Sequence, residues 1–192
     1  MQRLGLVLMP WLVAVLSPNA SAMCFDQAGQ RYGISSDLLR AIAKVESDLN
    51  PSAVNTSHQH RTGTVDLGLM QINSGHLRRL AEFGVTKEAL LRDPCLNANV
   101  GAWVLADHFA RHGTDWNAVG AYNASCTQLA PDDCVAARRR YAWKVHSAMQ
   151  AQKAVKGGEQ PAAQVNLPRA PVEPQFEHSH SLRLVQLAAR AR

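Results

Sequence analysis

Charged side chains are scarce in this chain, at 18% of 192 residues against 46% hydrophobic. That balance excludes a disordered polymer and leaves room for one core of ordinary size. No run of Lys and Arg interleaved with aromatics precedes the last helix-patterned stretch, which opens at Pro131-Asp132. Nucleic acid is therefore not expected as a partner. The longest apolar run, Leu4 to Leu16, is too short to span a bilayer comfortably. No stable membrane span is expected once that segment is removed. The cysteines lack the tight CxxC-type spacing of a zinc site, so no metal is expected. Histidine pairs occur at His58-Gln59-His60 and His178-Ser179-His180, where solvated loop histidines are the simpler reading than ligands. No internal repeat is visible.

What is present begins with a targeting segment. Arg3 gives a positive start, Leu4 to Leu16 an apolar stretch, and Ala20-Ser21-Ala22 a small-x-small cleavage site. Residues 1–22 are read as a cleavable signal peptide, with export to the periplasm. Cys24 near the cut raises a lipoprotein reading, which Met23 before it disfavours. The net charge of +5 suits an anionic polymer partner, of which the bacterial cell wall is one. Four cysteines in an exported chain suggest two disulfides. Cys126 and Cys134 flank a short Pro-containing loop, so a local bridge is plausible and leaves Cys24 for Cys95.

The middle of the chain reads as helices. Ser35 or Ser36 can cap a first one, where Leu39, Ile42, Ala43 and Glu46 share a face at i, i+3, i+4, i+7. Asn50-Pro51 closes it. Ser52 to Val65 is polar and turn-rich, with weak strand potential near Thr64-Val65. Leu77, Leu80 and Ala81 suggest a short helix, and Thr86 caps another through Leu91. Asp93-Pro94 opens a longer helix that Gly113 stops. Asp115 caps one through Tyr122, and Pro131 starts the last, running past Met149. Composition shifts near Ala151, so residues 23–150 are read as one domain and 151–192 as a flexible tail ending in a basic segment from Leu182 to Arg192.

Three segments carry chemistry. Glu46 closes an apolar-faced helix, where burial and the helix dipole both favour its protonated form. A proton held near neutral pH is what a general acid needs to make a glycosidic oxygen a leaving group. Alone, such a residue is more often a surface carboxylate with a neighbour. Gly68-Leu69-Met70-Gln71-Ile72-Asn73 follows, with a glycine that permits close approach and amides suited to hydroxyl and acetamido groups. Tyr122-Asn123, at a helix end, can stack on a sugar or bond to Glu46.

Taken together, Glu46-Ser47 with Asn50-Pro51, Gly68-Leu69-Met70-Gln71 and Ala121-Tyr122-Asn123 resemble the lysozyme-like domain of soluble lytic transglycosylases. The likeness runs from about Cys24 to Met149, and is nearest to the small exported members that accompany secretion, conjugation and pilus machines. It implies a mainly α, lysozyme-like fold with at most a small β-hairpin between Ser52 and Ile72. It implies peptidoglycan glycan strands as substrate, no cofactor, and envelope-spanning secretion or pilus components as partners. By resemblance, Glu46 is the catalytic acid/base, and Ser47, Gly68, Met70, Gln71, Asn73, Tyr122 and Asn123 contact substrate. The cut would fall between N-acetylmuramic acid and N-acetylglucosamine, with a 1,6-anhydromuramic product.

One position departs from that pattern. Asp66 stands two before Gly68, where many members carry a small residue. The run Thr64 to Ser74 also resembles the strand of animal-type lysozymes, which places a second carboxylate opposite the acid. Asp66 is thus a second catalytic candidate, as cation stabiliser or nucleophile, beside the simpler reading of a turn cap. A hydrolytic muramidase using Glu46 and Asp66 stays open. So does a non-catalytic glycan-binding assembly factor on the same fold.

Overall fold

The computed structural model describes residues 20–156 apart from 125, 127 and 128. The expected signal segment before Ala20, His178 and His180, and the basic end from Leu182 lie outside the described residues. The elements are α1 (Ala20–Tyr32), α2 (Ser36–Ser47), β1 (Val54–Asn55), α3 (Gln59–Thr62), β2 (Asp66–Leu67), β3 (Ile72–Asn73), α4 (Leu77–Leu80), α5 (Lys87–Arg92), α6 (Pro94–His112), α7 (Trp116–Asn123) and α8 (Pro131–Lys156). The fold is mainly α, as the periodicity predicts. The small β-hairpin gains a third short strand, giving an antiparallel sheet in the order β1-β2-β3. Asp66 pairs with Asn55 on one side and Asn73 on the other.

Side-chain caps fix the starts of α5, α6 and α7. Thr86 accepts from the Ala89 amide at 3.1 Å, and Asp115 from the Ala118 amide at 2.8 Å. Asp93 accepts from the Cys95 and Leu96 amides, both at 2.9 Å, with Pro94 at the first helical position. Ser35 stands at the start of α2 but makes no side-chain cap bond. That helix also ends at Ser47, before Asn50-Pro51, because Asp48 and Leu49 turn left-handed at φ 56° and 64°. Their amides return to the Lys44 and Ala43 carbonyls, which closes the helix. The unwinding leaves Glu46 in the last turn of α2.

Helix α1 is not evident in the sequence, where Ala20-Ser21-Ala22 reads as a cleavage site. It is held by burial of Cys24, Phe25 and Ala28. It packs against α6, and the Cys24–Cys95 bridge joins the two. A second bridge, Cys126–Cys134, ties the loop after α7 to the first turn of α8. Helices α2 and α7 both pack on α8, so α8 lies behind the segment carrying Glu46. It continues to Lys156, past the composition change at Ala151. Among the described residues no helix is long and apolar enough to cross a membrane.

Candidate active site

The α2 stripe does what its spacing predicts. Leu39, Ile42 and Ala43 are fully buried, and Glu46 follows one turn later, half-buried at the helix end. Burial pushes the Glu46 carboxyl up to about 7. A hydrogen bond from Tyr141 opposes that rise, the nearby Asp66 charge adds to it, and Lys144 draws it down. Burial is the largest of these effects, so the group holds a proton near neutrality. The Tyr141 hydroxyl donates to Glu46 Oε1 at 2.5 Å, across 95 positions of sequence.

The Gly68–Asn73 turn lies against the end of α2. Ser47 Oγ donates to the Leu69 carbonyl at 2.7 Å and to the Ala43 carbonyl at 3.2 Å, binding helix to turn. Tyr122 OH donates to the Met70 carbonyl at 2.9 Å, binding the end of α7 to the same turn. Asn97, fully buried in α6, supplies the third tie. Its Oδ1 accepts from the Met70 amide at 2.7 Å, and its Nδ2 donates to the Leu67 and Leu90 carbonyls at 2.9 and 3.1 Å. Gly68 adopts φ 73°, and a Cβ there would sit 2.3 Å from Asn97 Nδ2. The glycine is required by backbone conformation and by crowding from below.

Several residues expected to contact substrate have other partners. Met70 is fully buried, its side chain packed against Gly101, and Gly68 is buried beneath the turn. Gln71 holds its own turn, with Nε2 donating to the Gly68 and Ala53 carbonyls at 2.8 and 3.2 Å. Asn73 Nδ2 donates to Asp66 Oδ1 at 2.8 Å and to Thr64 Oγ1 at 3.0 Å, and its Oδ1 accepts from the Gly75 amide. Asn123 is exposed and lines the pocket that holds Glu46.

Asp66 is engaged within the sheet. Besides Asn73, Asn55 Nδ2 donates to its Oδ2 at 3.3 Å, and His58 Nε2 lies 3.6 Å from its Oδ1. Its charge reaches Glu46, which joins the two carboxylates electrostatically.

Tyr141 and Asn97 are the participants that motif reading misses. Both leave a trace in the pattern. Tyr141, Ala142, Val145 and Met149 form the buried stripe of α8. Asn97 is the one polar residue on an otherwise small and apolar α6 stripe of Ala98, Gly101, Ala102 and Leu105. A polar group on such a stripe needs partners.

Comparison with known proteins places the chain in a family. The Transglycosylase SLT domain family matches residues 23–131. The chain is similar to Invasion protein IagB of Salmonella typhimurium, 42% identical over 139 residues, covering 72% of this chain and 81% of that protein. It is 48% identical over 103 residues to protein IpgF of Shigella flexneri, covering 54% of this chain and 66% of that one. The X polypeptide of Escherichia coli is 39% identical over 145 residues, covering 76% of this chain and 83% of its own. Among solved structures, an inactive mutant of lytic transglycosylase Slt from Pseudomonas aeruginosa shares the fold at TM-score 0.53 and 21% identity. That likeness covers 72% of this chain but only 25% of the larger one.

Proposed function

The chain belongs to the Transglycosylase SLT domain family and is a lytic transglycosylase acting on peptidoglycan, and from that premise we propose a single-acid mechanism centred on Glu46. The observation that carries it is the half-buried carboxyl held up to about 7 with Tyr141 on its Oε1. Protonated Glu46 donates to the oxygen linking N-acetylmuramic acid to N-acetylglucosamine. The muramic acetamido group stabilises the positive charge that develops at C1. Glu46, now ionised, takes the proton of the C6 hydroxyl, whose oxygen closes on C1 as a 1,6-anhydro ring. Substrate assistance replaces the second carboxylate of a usual glycosidase pair. Atoms and charge balance without added water.

Asp66 contributes through its charge in this reading, favouring the proton on Glu46. Its oxygens are occupied by Asn55 and Asn73, which supports an electrostatic rather than a nucleophilic role. Ser47 ties the turn to α2 and Tyr122 ties it to α7, and Asn123 faces the sugar.

The setting is the periplasm, reached by the signal segment at 1–22. Two disulfides among the described residues support an oxidising compartment. The similarity to a protein named for invasion supports a role in opening the wall locally for a secretion or pilus apparatus.

Product analysis tests the mechanism. Mature protein incubated with purified peptidoglycan should release muropeptides ending in 1,6-anhydromuramic acid, which are lighter by one water than hydrolytic products in a mass spectrum. Reducing-end muramic acid as the main product would replace this mechanism with a hydrolase using Glu46 and Asp66.

A further inference from the structure

At the end of α2 remote from Glu46, four helices leave an apolar groove. Leu38 of α2, Phe109 of α6, Val119 of α7 and Met149 of α8 line it, with Asp115 and Trp116 at its rim. Leu38, Val119 and Met149 are buried, Phe109 is half-buried, and the Trp116 side of the rim is 42% exposed. The Trp116 ring meets the His146 ring edge-on at 5.4 Å, which orients the indole. The Asp115 carboxylate, whose Oδ1 caps α7, puts a negative charge at the rim. The space is about 190 Å³, below the roughly 300–1,000 Å³ of a small-molecule site, and suits apolar side chains. Along α2, about 12 Å separates Leu38 from Glu46 at 1.5 Å per residue. The groove and the Glu46 pocket share no lining residue.

Helix α8 leads from this groove into the rest of the chain. Met149 lies in the groove, and Lys156 stands about 10 Å further along the helix. Beyond it in sequence, Leu184, Leu187, Ala188 and Ala191 recur at i, i+3, i+4, i+7, with Arg183 and Arg190 beside them. Such an apolar spacing fits a groove, and the arginines complement the Asp115 rim. We propose that the segment from Leu182 to Arg192 docks in the groove of its own chain, with Leu184 and Leu187 anchored among Leu38, Phe109, Trp116 and Met149. The connection from Lys156 to Leu182 is 26 positions. At up to about 3.3–3.6 Å each, it is long enough to return to Met149. Tethering raises the segment's effective concentration to the order of 1 mM, which favours it over a free partner of equal affinity. Docking clamps α2, α7 and α8, the elements that carry Glu46, Asn123 and Tyr141. It does not depend on the chemistry at Glu46.

Cross-linking in the full mature chain tests the docking. A photoreactive benzophenone amino acid replaces Ala188, on the same face as the two leucines. Equal amounts of isotope-labelled and unlabelled chains are mixed, irradiated and mapped by mass spectrometry. Cross-links should join position 188 to Phe109, Trp116 or Met149 within one chain. Cross-links that run only between labelled and unlabelled chains overturn the inference in favour of exchange between two copies. Cross-links elsewhere on the domain, or none, also overturn it and leave the groove to another protein. The variant Leu184→Asp with Leu187→Asp changes no core residue. It should abolish the cross-links to the groove and lower Tm by about 2–4 °C, the shift expected of a modest contact in a chain of this size. An unchanged Tm overturns the inference. Trp116→Ala, at the exposed rim, should lower Tm less in that double variant than in the wild-type chain, because the two changes remove one contact. Equal shifts in both backgrounds mean that the segment and the groove do not meet.

Discussion

Asn97 Oδ1 accepts a 2.7 Å hydrogen bond from the Met70 amide, from a position 27 residues later in the chain and with no exposure to solvent. The same side chain donates to the Leu67 and Leu90 carbonyls, so one amide group braces both sides of the turn facing Glu46. Truncation would remove a hydrogen-bond partner from three buried backbone groups. Asn97→Ala should therefore cost about 3–5 kcal/mol, read by denaturant unfolding. Asn97→Asp should cost more, because an oxygen would then face two carbonyls. Stability within about 1 kcal/mol of wild type for both would show that water or a shifted backbone supplies the partners.

Glu46 links activity to stability with opposite signs. Its carboxyl is raised from 4.5 to about 7, chiefly by burial. The folded protein thus holds this proton more tightly than the unfolded chain. The associated stability is fully present below pH 4.5 and is lost as pH rises through 7. The loss amounts to about 3 kcal/mol. Glu46→Gln should be more stable than wild type at pH 8 and similar at pH 4, while cleavage falls by about 10²–10⁴-fold. The wild-type rate should decline above neutrality as the acid ionises. A folded variant that retains its wall-degrading activity would remove Glu46 from the mechanism.

In the proposed mechanism Tyr141 positions the acid. Its hydrogen bond lowers the Glu46 carboxyl against the larger effect of burial. Tyr141→Phe removes the donor and keeps the ring. The alkaline limb of the pH–rate profile should move to higher pH, and kcat should fall about ten- to hundredfold through lost orientation. A drop in rate with an unmoved limb would mean the hydroxyl matters only for packing.

Sequence and structure agree where local chemistry decides the outcome. The caps at Thr86, Asp93 and Asp115 and the stripe ending at Glu46 are local, and the structure forms them where the spacing expects. Ties between distant segments are a different matter. Nothing near Tyr141 in the chain points to Glu46, because that contact depends on how α2 packs on α8. The amides of Gln71 and Asn73 look available for sugars in sequence, yet folding directs them to Gly68, Ala53, Asp66 and Thr64. Two-residue strands carry too little alternation to be read, which is why the sheet gains a strand that the pattern does not show.

Asp66 provides the test that separates the two mechanisms. It sits at the centre of the sheet, paired with Asn55 and Asn73, and its charge favours the protonated form of Glu46. Asp66→Asn removes that charge while keeping size and one acceptor oxygen for Asn73. Without the charge, Glu46 should ionise more easily, so the alkaline limb should move to lower pH, opposite in direction to Tyr141→Phe. The Asn55 amide would meet an NH₂ group unless the new side chain flips, so the melting temperature should fall modestly. Cleavage should persist at pH 5–6 at roughly a tenth of the wild-type rate or better, with the 1,6-anhydro product unchanged. Near-complete loss of cleavage at every pH, in a variant whose fold is intact, would make Asp66 a direct participant at C1. The single-acid mechanism would then give way to a paired-carboxylate one.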